Sequence, residues 1–296
     1  MKNSPSLPFD YLISFIIITS KDFKVCNAID SLMKTASNSK RQWEIVVVVN
    51  GCSTEFKKKL EKDYLDRNVK FVYCSEGNRA KARNMGINHS QGEYLVHIDS
   101  DCEIAEKYFD ELKKVCNFDM KIGRGKVKFV SSDALLSKAS CELKKYAYNN
   151  RKERAYTPNL VVKREVYDLV GLYDEEFFSG EDNEWSLRFK ELDISFRYFN
   201  NLSLKHFDHE SSSKIIKTYF NYGVARYNRF KKNKFKVEFS FKQKIKKYYE
   251  LFNEIPSLKF FRYKKTIFIL YLIRNIGVLF AIIKDKCYNK VRTLTN

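Results

Sequence analysis

Hydrophobic and polar positions alternate between two periods along the first part of the chain. Tyr11–Thr19 (YLISFIIIT) is a nearly continuous apolar run bounded by polar residues, the pattern of a strand buried on both faces. Behind it, Phe23, Cys26, Ile29, Leu32 and Met33 recur at helical spacing. Trp43–Val49 (WEIVVVV) predicts a second buried strand, stopped by the turn pair Asn50-Gly51. Phe56, Leu60 and Tyr64 mark a helix, Val69–Cys74 a third strand, and Ala80–His89 a helix with Gly86 as its weak point. Glu93–Ile98 (EYLVHI) is a fourth strand. Strand and helix alternating over short connections predict an α/β protein, a mostly parallel sheet flanked by helices. Such a sheet binds ligands beyond the carboxyl ends of its strands. Thr19–Lys21, Asn50–Ser53, Ser75–Asn78 and Asp99–Asp101 therefore share one rim.

The second half is less regular. Lys126–Val130 reads as a strand, Ala134–Tyr148 as a helix, and Asn159–Val162 as a short strand before a turn of helix. Asn183–Leu192 is an amphipathic helix, followed by two strand-like runs, SFRYF and LSLKHF. From Ser211 the pattern turns to basic, aromatic helices. Charge marks the same boundary: 21 Lys and Arg against four acids give residues 211–296 a net +17 of the chain's +19.

A chain of 296 residues with 44% hydrophobic residues can bury a substantial core, and disorder is excluded for most of it. Seven cysteines form no CxxC pair and no Cys/His metal spacing, which predicts reduced, mostly buried thiols in a cytosolic protein. The first apolar run follows Pro5, Pro8 and Asp10 without a basic leader, so it reads as a strand and not as a signal peptide.

The fourth strand ends in Asp99 and Asp101, two residues apart and so directed to one side. Close carboxylates repel unless a cation or a donor stands between them. A divalent metal carrying a diphosphate would meet that need, and Mg²⁺ or Mn²⁺ suits oxygen ligands. A solvated turn explains the pair equally well, and Asp-x-Asp alone does not decide between them.

The surrounding stretch, GNRAKARNMGINHSQGEYLVHIDSDC, resembles the nucleotide-sugar-binding half of inverting glycosyltransferases of family 2, which have the GT-A fold. Asn78, Ala80, Ala82, Arg83, Asn84, Gly86, Gly92, Glu93, Tyr94, Asp99 and Asp101 carry the match, and SFIIITS and WEIVVVVNGCST resemble the family's first two strands. The likeness runs from about Leu12 to Tyr222. It implies a GT-A catalytic domain over 1–210, with a nucleotide-binding half (about 1–103) and an acceptor half (104–210), and a basic helical extension over 211–296. It further implies that Thr19, Asn50, Asn78 and Arg83 cradle a nucleoside diphosphate, UDP above others. Asp99 would reach the ribose or base side, and Asp101 would hold the metal. Asn50 stands where the family usually has an acid against the base. Asn can donate and accept hydrogen bonds there, but without charge.

YDEEFFSGEDNEWSLRF (Tyr173–Phe189) is similar to the family's acidic motif. Acids ahead of Trp185, Leu187 and Phe189 are also what a helix N-terminus prefers. An alcohol is too weak an acid to attack at neutral pH, so a carboxylate must take its proton. The resemblance assigns that role to Asp182 ahead of Glu181, with the second acid free to bind the acceptor. It places Asn159 near the donor sugar, though a turn Asn after Pro158 fits the same residues. His206 and His209 flank Asp208, and the resemblance lets one complete the metal site, with His209 set slightly ahead of His206.

The tail mixes Lys and Arg with Tyr and Phe, then runs through Thr266–Ile283, 18 mostly apolar residues with Arg274 near the middle. A span needs ~20 apolar residues and penalises a central Arg by ~2.5–3.5 kcal/mol. Residues 214–296 therefore read as amphipathic helices on an anionic inner leaflet, or as helices packed on the domain. A nucleic-acid surface is the less favoured partner.

The resulting expectation is a metal-dependent inverting glycosyltransferase at the cytoplasmic face of the membrane. It would move a sugar from a nucleotide-sugar donor to a cell-surface glycan or lipid-linked acceptor, alone or as a homo-oligomer. A nucleotidyltransferase on a similar sheet and a non-catalytic basic binding protein are the competing classes. No Walker loop, dinucleotide fingerprint or Gly-x-Ser-x-Gly elbow is present.

Overall fold

The four long apolar runs form the parallel half of one sheet. In the computed structural model they are β1 (Ile13–Thr19), β2 (Trp43–Asn50), β3 (Val69–Cys74) and β4 (Tyr94–Asp99), joined in order by α1 (Lys24–Ala36), α2 (Thr54–Asp63) and α3 (Arg79–His89). The structure describes residues 12–20, 23–36, 42–51, 53–65, 67–118, 120–150, 152–208, 211–232 and 263–295. Strand alternation sorts the core into two layers. Ile13, Phe15, Ile17, Ile45, Val47 and Val49 face Val25, Ile29 and Leu32 of α1 and Leu60 of α2. Ile16 and Leu95 face Ala80 and Ile87 of α3, and Val46 and Val48 face Ala82 on the same side. Burial on both faces is why these strands are apolar at every position.

The second half adds β5 (Cys102–Ile104), α4 (Tyr108–Asn117), β6 (Ile122–Val130), α5 (Leu135–Asn150), β7 (Leu160–Lys163), α6 (Glu165–Val170), α7 (Glu181–Glu191) and β8 (Phe196–Phe207). The eight strands run in the order β3-β2-β1-β4-β7-β6-β8-β5. β7 lies antiparallel between β4 and β6, and β5 antiparallel to β8, so the expected parallel character belongs to the first half. The two short runs at 195–207 form one strand, because a register shift at Gly125/Lys126 lets β8 follow β6 along its length.

Beyond β8 come α8 (Ser212–Lys232) and α9 (Lys264–Thr295). Ile215 and Tyr219 of α8, Ile267 and Leu270 of α9, and Ala139 of α5 form one buried cluster. The two helices cross where Gly223 meets the Arg274 backbone and Gly277 meets that of Phe220; a side chain at either glycine would collide with main chain. Lys264–Cys287 is long and apolar enough to cross a membrane by length and composition, and 33% of its most apolar window is buried. Ile269, Ile276, Leu279, Phe280 and Ile283 remain exposed along the helix.

Candidate active site

β1 and β4 are in register with Ile18 opposite Asp99, and β2 and β3 with Asn50 opposite Cys74. This brings Thr19, Asn50 and Asp99 to one end of the sheet. Thr19 and Asn50 are buried, and the side-chain oxygen of Asn50 has no hydrogen-bond partner among the described residues. Asn78 caps α3: its side-chain oxygen accepts from the Lys81 amide at 3.2 Å, while its Nδ2 donates to the Glu175 carbonyl at 2.6 Å. Asn84, one turn on, grips the backbone of Tyr173 from both sides. The start of α3 is thus fastened to the loop that leads into the acidic motif.

Arg83 joins the two groups of acids. Its Nε donates to Glu181 at 3.1 Å, and its Nη2 to Thr157 at 2.7 Å and, more weakly, to Asp99 at 3.4 Å. Burial opposes its charge, but Asp99 and Glu181 outweigh burial and raise its proton affinity. Sequence reasoning missed Thr157, which no local pattern marks.

A three-residue ladder sets the other side. β5 pairs with β8 so that Cys102 faces His206, which carries the imidazole back to the aspartates. His206 Nε2 lies 3.3 Å from Asp101 and 3.7 Å from Asp99. Burial would raise Asp99, yet the His206 contact and the Arg83 charge hold its carboxyl well below the ordinary range. Burial would likewise neutralise His206, and the two aspartates raise it instead. The pair that looked costly in sequence therefore stands beside its own counter-charges. His209, set ahead of His206 from sequence, lies outside the described residues. The buried Asp208 binds Lys144 at 2.8 Å and so ties the end of β8 to α5.

Ligand atoms of Asp101, Cys102 and His206 lie within 4.8 Å of one another. Burial and the neighbouring aspartates push the Cys102 thiol well above its usual range, so it stays protonated and suits a hard cation poorly. Carboxylate and imidazole together fit Mn²⁺ or Mg²⁺.

The acidic motif opens α7. Gly180 holds a left-handed turn (φ 81°), and Glu181 and Asp182 begin the helix. Glu181 is buried and paired with Arg83. Asp182 is half-buried and accepts from the Asn183 amide at 2.7 Å and from its side chain at 3.0 Å. Burial first, and then the charge of Glu181, push Asp182 up to about 6, against the pull of Arg83. The sheet end and the helix start thus present one carboxylate group held low and another held high.

Asn159 departs from its expected place near the donor sugar. It is fully buried with φ 69°, both amide protons go to the Lys126 and Leu202 carbonyls, and its oxygen accepts from Tyr108 at 2.5 Å. It ties β6, β8 and α4 together, the structural side of the two readings. A second buried feature lacked a sequence signal. Arg124 lies within 4.8–5.3 Å of the ring centres of Tyr148, Tyr156 and Tyr198, and Tyr148 and Tyr156 stack at 4.4 Å.

Comparison with known proteins agrees with this architecture. The model of glycosyl transferase family 2 matches residues 16–133. The chain is 24% identical over 194 residues to "Glycosyltransferase AglE" of Haloferax volcanii, covering 62% of each chain. It is 26% identical over 226 residues to "dTDP-rhamnosyl transferase RfbF" of Shigella flexneri, covering 69% of this chain and 71% of that one. The chain therefore spans about 62% of the first relative's length and 71% of the second's. Among solved structures, TarS residues 1–349 of S. aureus superpose with a TM-score of 0.52 at 16% identity, over 74% of this chain and 65% of that one. That likeness is one of fold.

Proposed function

The chain carries a glycosyl transferase family 2 domain, and from that premise we propose that it is an inverting, metal-dependent glycosyltransferase using a UDP-linked sugar. Its acceptor is a hydroxyl of a cell-surface glycan or lipid-linked saccharide. The observation that carries the reading is Asp182: a half-buried carboxylate raised to about 6, across Arg83 and Glu181 from Asp99. A base poised near neutral pH is what proton removal from an alcohol requires.

In this reading Asp101 and His206 hold the cation. The cation, when bound, supplies positive charge to the departing diphosphate. Asn50 meets the base: its unpartnered oxygen suits the ring N–H that uracil and thymine share, which agrees with a thymidine donor in the name of RfbF. Asp182 takes the acceptor's proton as its oxygen bonds to the anomeric carbon. The bond from that carbon to the diphosphate oxygen breaks on the opposite face, and nucleoside diphosphate leaves with inversion. Arg83 holds Glu181 and Asp99 in place and keeps the two acid groups at a fixed separation.

The exposed apolar residues of α9 and the basic charge of 211–296 place the enzyme on an anionic membrane surface, at the cytoplasmic face. Flotation with phosphatidylglycerol vesicles tests this. Full-length protein should float, and binding left unchanged by Ile276→Ser with Phe280→Ser sinks the membrane reading.

The decisive assay measures nucleoside diphosphate release from a panel of UDP- and dTDP-sugars with Mn²⁺, beside Asp101→Ala and Asp182→Ala. Transfer should depend on both residues and on the metal. Activity indifferent to both substitutions would remove the site assignment, and pyrophosphate release from a nucleoside triphosphate would establish a nucleotidyltransferase.

A further inference from the structure

The basic end of the chain reaches the acid turn. α8 passes beside Gly180, where a Cβ would lie 3.3 Å from Ala225 Cβ and 4.0 Å from Nη1 of Arg229. Arg229 thus stands next to the residue that leads into Glu181 and Asp182. Two more arginines arrive from other elements: Arg154 from the loop before β7, and Arg274 from α9. Burial, followed by the charge of Arg154, lowers Arg229, and Arg274 acts in the same direction, while Asp182 and Tyr156 act in the opposite one. Three elements distant in sequence therefore converge on one charged cluster beside the base.

The other basic side chains at this end of α8 are already neutralised. Lys231 pairs with Asp285, and Lys232 with Asp174 and Glu176. Arg154 and Arg229 have no carboxylate at ion-pair distance among the described residues. Bunched guanidiniums repel one another unless an anion sits among them. Their planar forks match phosphate oxygens, and a multiply charged phosphate matches three of them better than one carboxylate does.

We propose that Arg229, with Arg154 and Arg274, binds a phosphate group carried by the acceptor close to the hydroxyl that Asp182 deprotonates. The proposal rests on the reading of Asp182 as the base. The donor's diphosphate is the other source of the same chemistry. The Asp99 end of the cleft, however, has its own cations: His206, Arg83 and Arg79 are the charges that act on Asp99. The cluster at Arg229 sits instead by Gly180, where the acceptor enters.

Inorganic pyrophosphate is the probe, titrated calorimetrically into the full-length protein in chelator. Arg229→Gln and Arg154→Gln should each weaken it by about tenfold or more, and Arg229→Lys should recover part of the loss. Asp101→Asn should leave pyrophosphate binding unchanged, and UDP binding with Mn²⁺ should be unchanged in the arginine variants. Thermal melts of the same samples separate lost binding from lost folding. Pyrophosphate affinity indifferent to folded Arg229→Gln and Arg154→Gln overturns the site. UDP·Mn²⁺ binding that weakens as much as pyrophosphate binding reassigns the arginines to the donor and overturns the acceptor role. If the wild type turns over no nucleotide-sugar but still binds pyrophosphate through Arg229, the phosphate site stands and the transferase reading falls.

Discussion

The two acidic groups of the cleft are built from the same residue types and treated in opposite ways. Asp99 ends a parallel strand and meets two cationic side chains, Arg83 and His206, which hold it charged. Asp182 begins a helix, is half-buried beside another acid, and is pushed up to about 6. One fold thus keeps a permanent anion for a cation ligand and a second carboxylate ready to exchange a proton. Environments that push like groups apart separate their chemical roles. Arg83 is the common element: it contacts Asp99 directly and reaches Asp182 through Glu181.

The comparison breaks most sharply at Asp182. Asp182→Asn should lower kcat by about 10²–10⁴-fold, as expected for loss of a general base, while calorimetric UDP binding with Mn²⁺ stays unchanged. Next is Arg83→Met, which leaves Glu181 buried without its partner and should cost ~3–5 kcal/mol in urea unfolding. A loss under ~1 kcal/mol would mean that the two acid groups do not depend on their shared arginine. The pH profile sharpens the contrast. Asp182 acts as a base only when ionised, and its raised proton affinity means that the ionised form disappears as pH falls through about 6. The log of kcat/KM should therefore fall with a limiting slope of about one per pH unit below that point. A profile flat down to pH 4.5 would transfer the base role elsewhere. The smallest expected change is Glu181→Gln. Removing the adjacent negative charge should move that acid limb to lower pH, and a move to higher pH would contradict the assigned cause.

How much of this was legible in sequence differs between the halves. The strands at Ile13–Thr19, Trp43–Asn50, Val69–Cys74 and Tyr94–Asp99 lie within two residues of the apolar runs that predicted them. Burial on both faces writes an uninterrupted signal into the chain. β5 and α4 went unseen, since a three-residue strand is too short to show a period. Strand-end geometry placed Asp99 on the rim from the pattern alone. The position of His206 depends on β8 pairing with β5 more than a hundred residues earlier, a register that no local pattern encodes. Asn159 shows the reverse error: a residue matched to a motif proves to be held by carbonyls from two distant strands.

By itself, then, the sequence determined the alternating α/β layout, the rim on which Thr19, Asn50 and Asp99 stand, the acidic start of α7, and the concentration of positive charge after Ser211. Each is written in local periodicity, turn chemistry or composition, over distances of a few residues. Only the tertiary structure decided that Arg83 couples the two acid groups, that His206 faces the aspartates, and that Arg229 reaches the base from the basic tail. Those arrangements arise from packing between elements far apart in the chain. They also set the electrostatics, because whether a carboxylate is held charged or pushed toward its protonated form depends on which distant side chains exclude water from it.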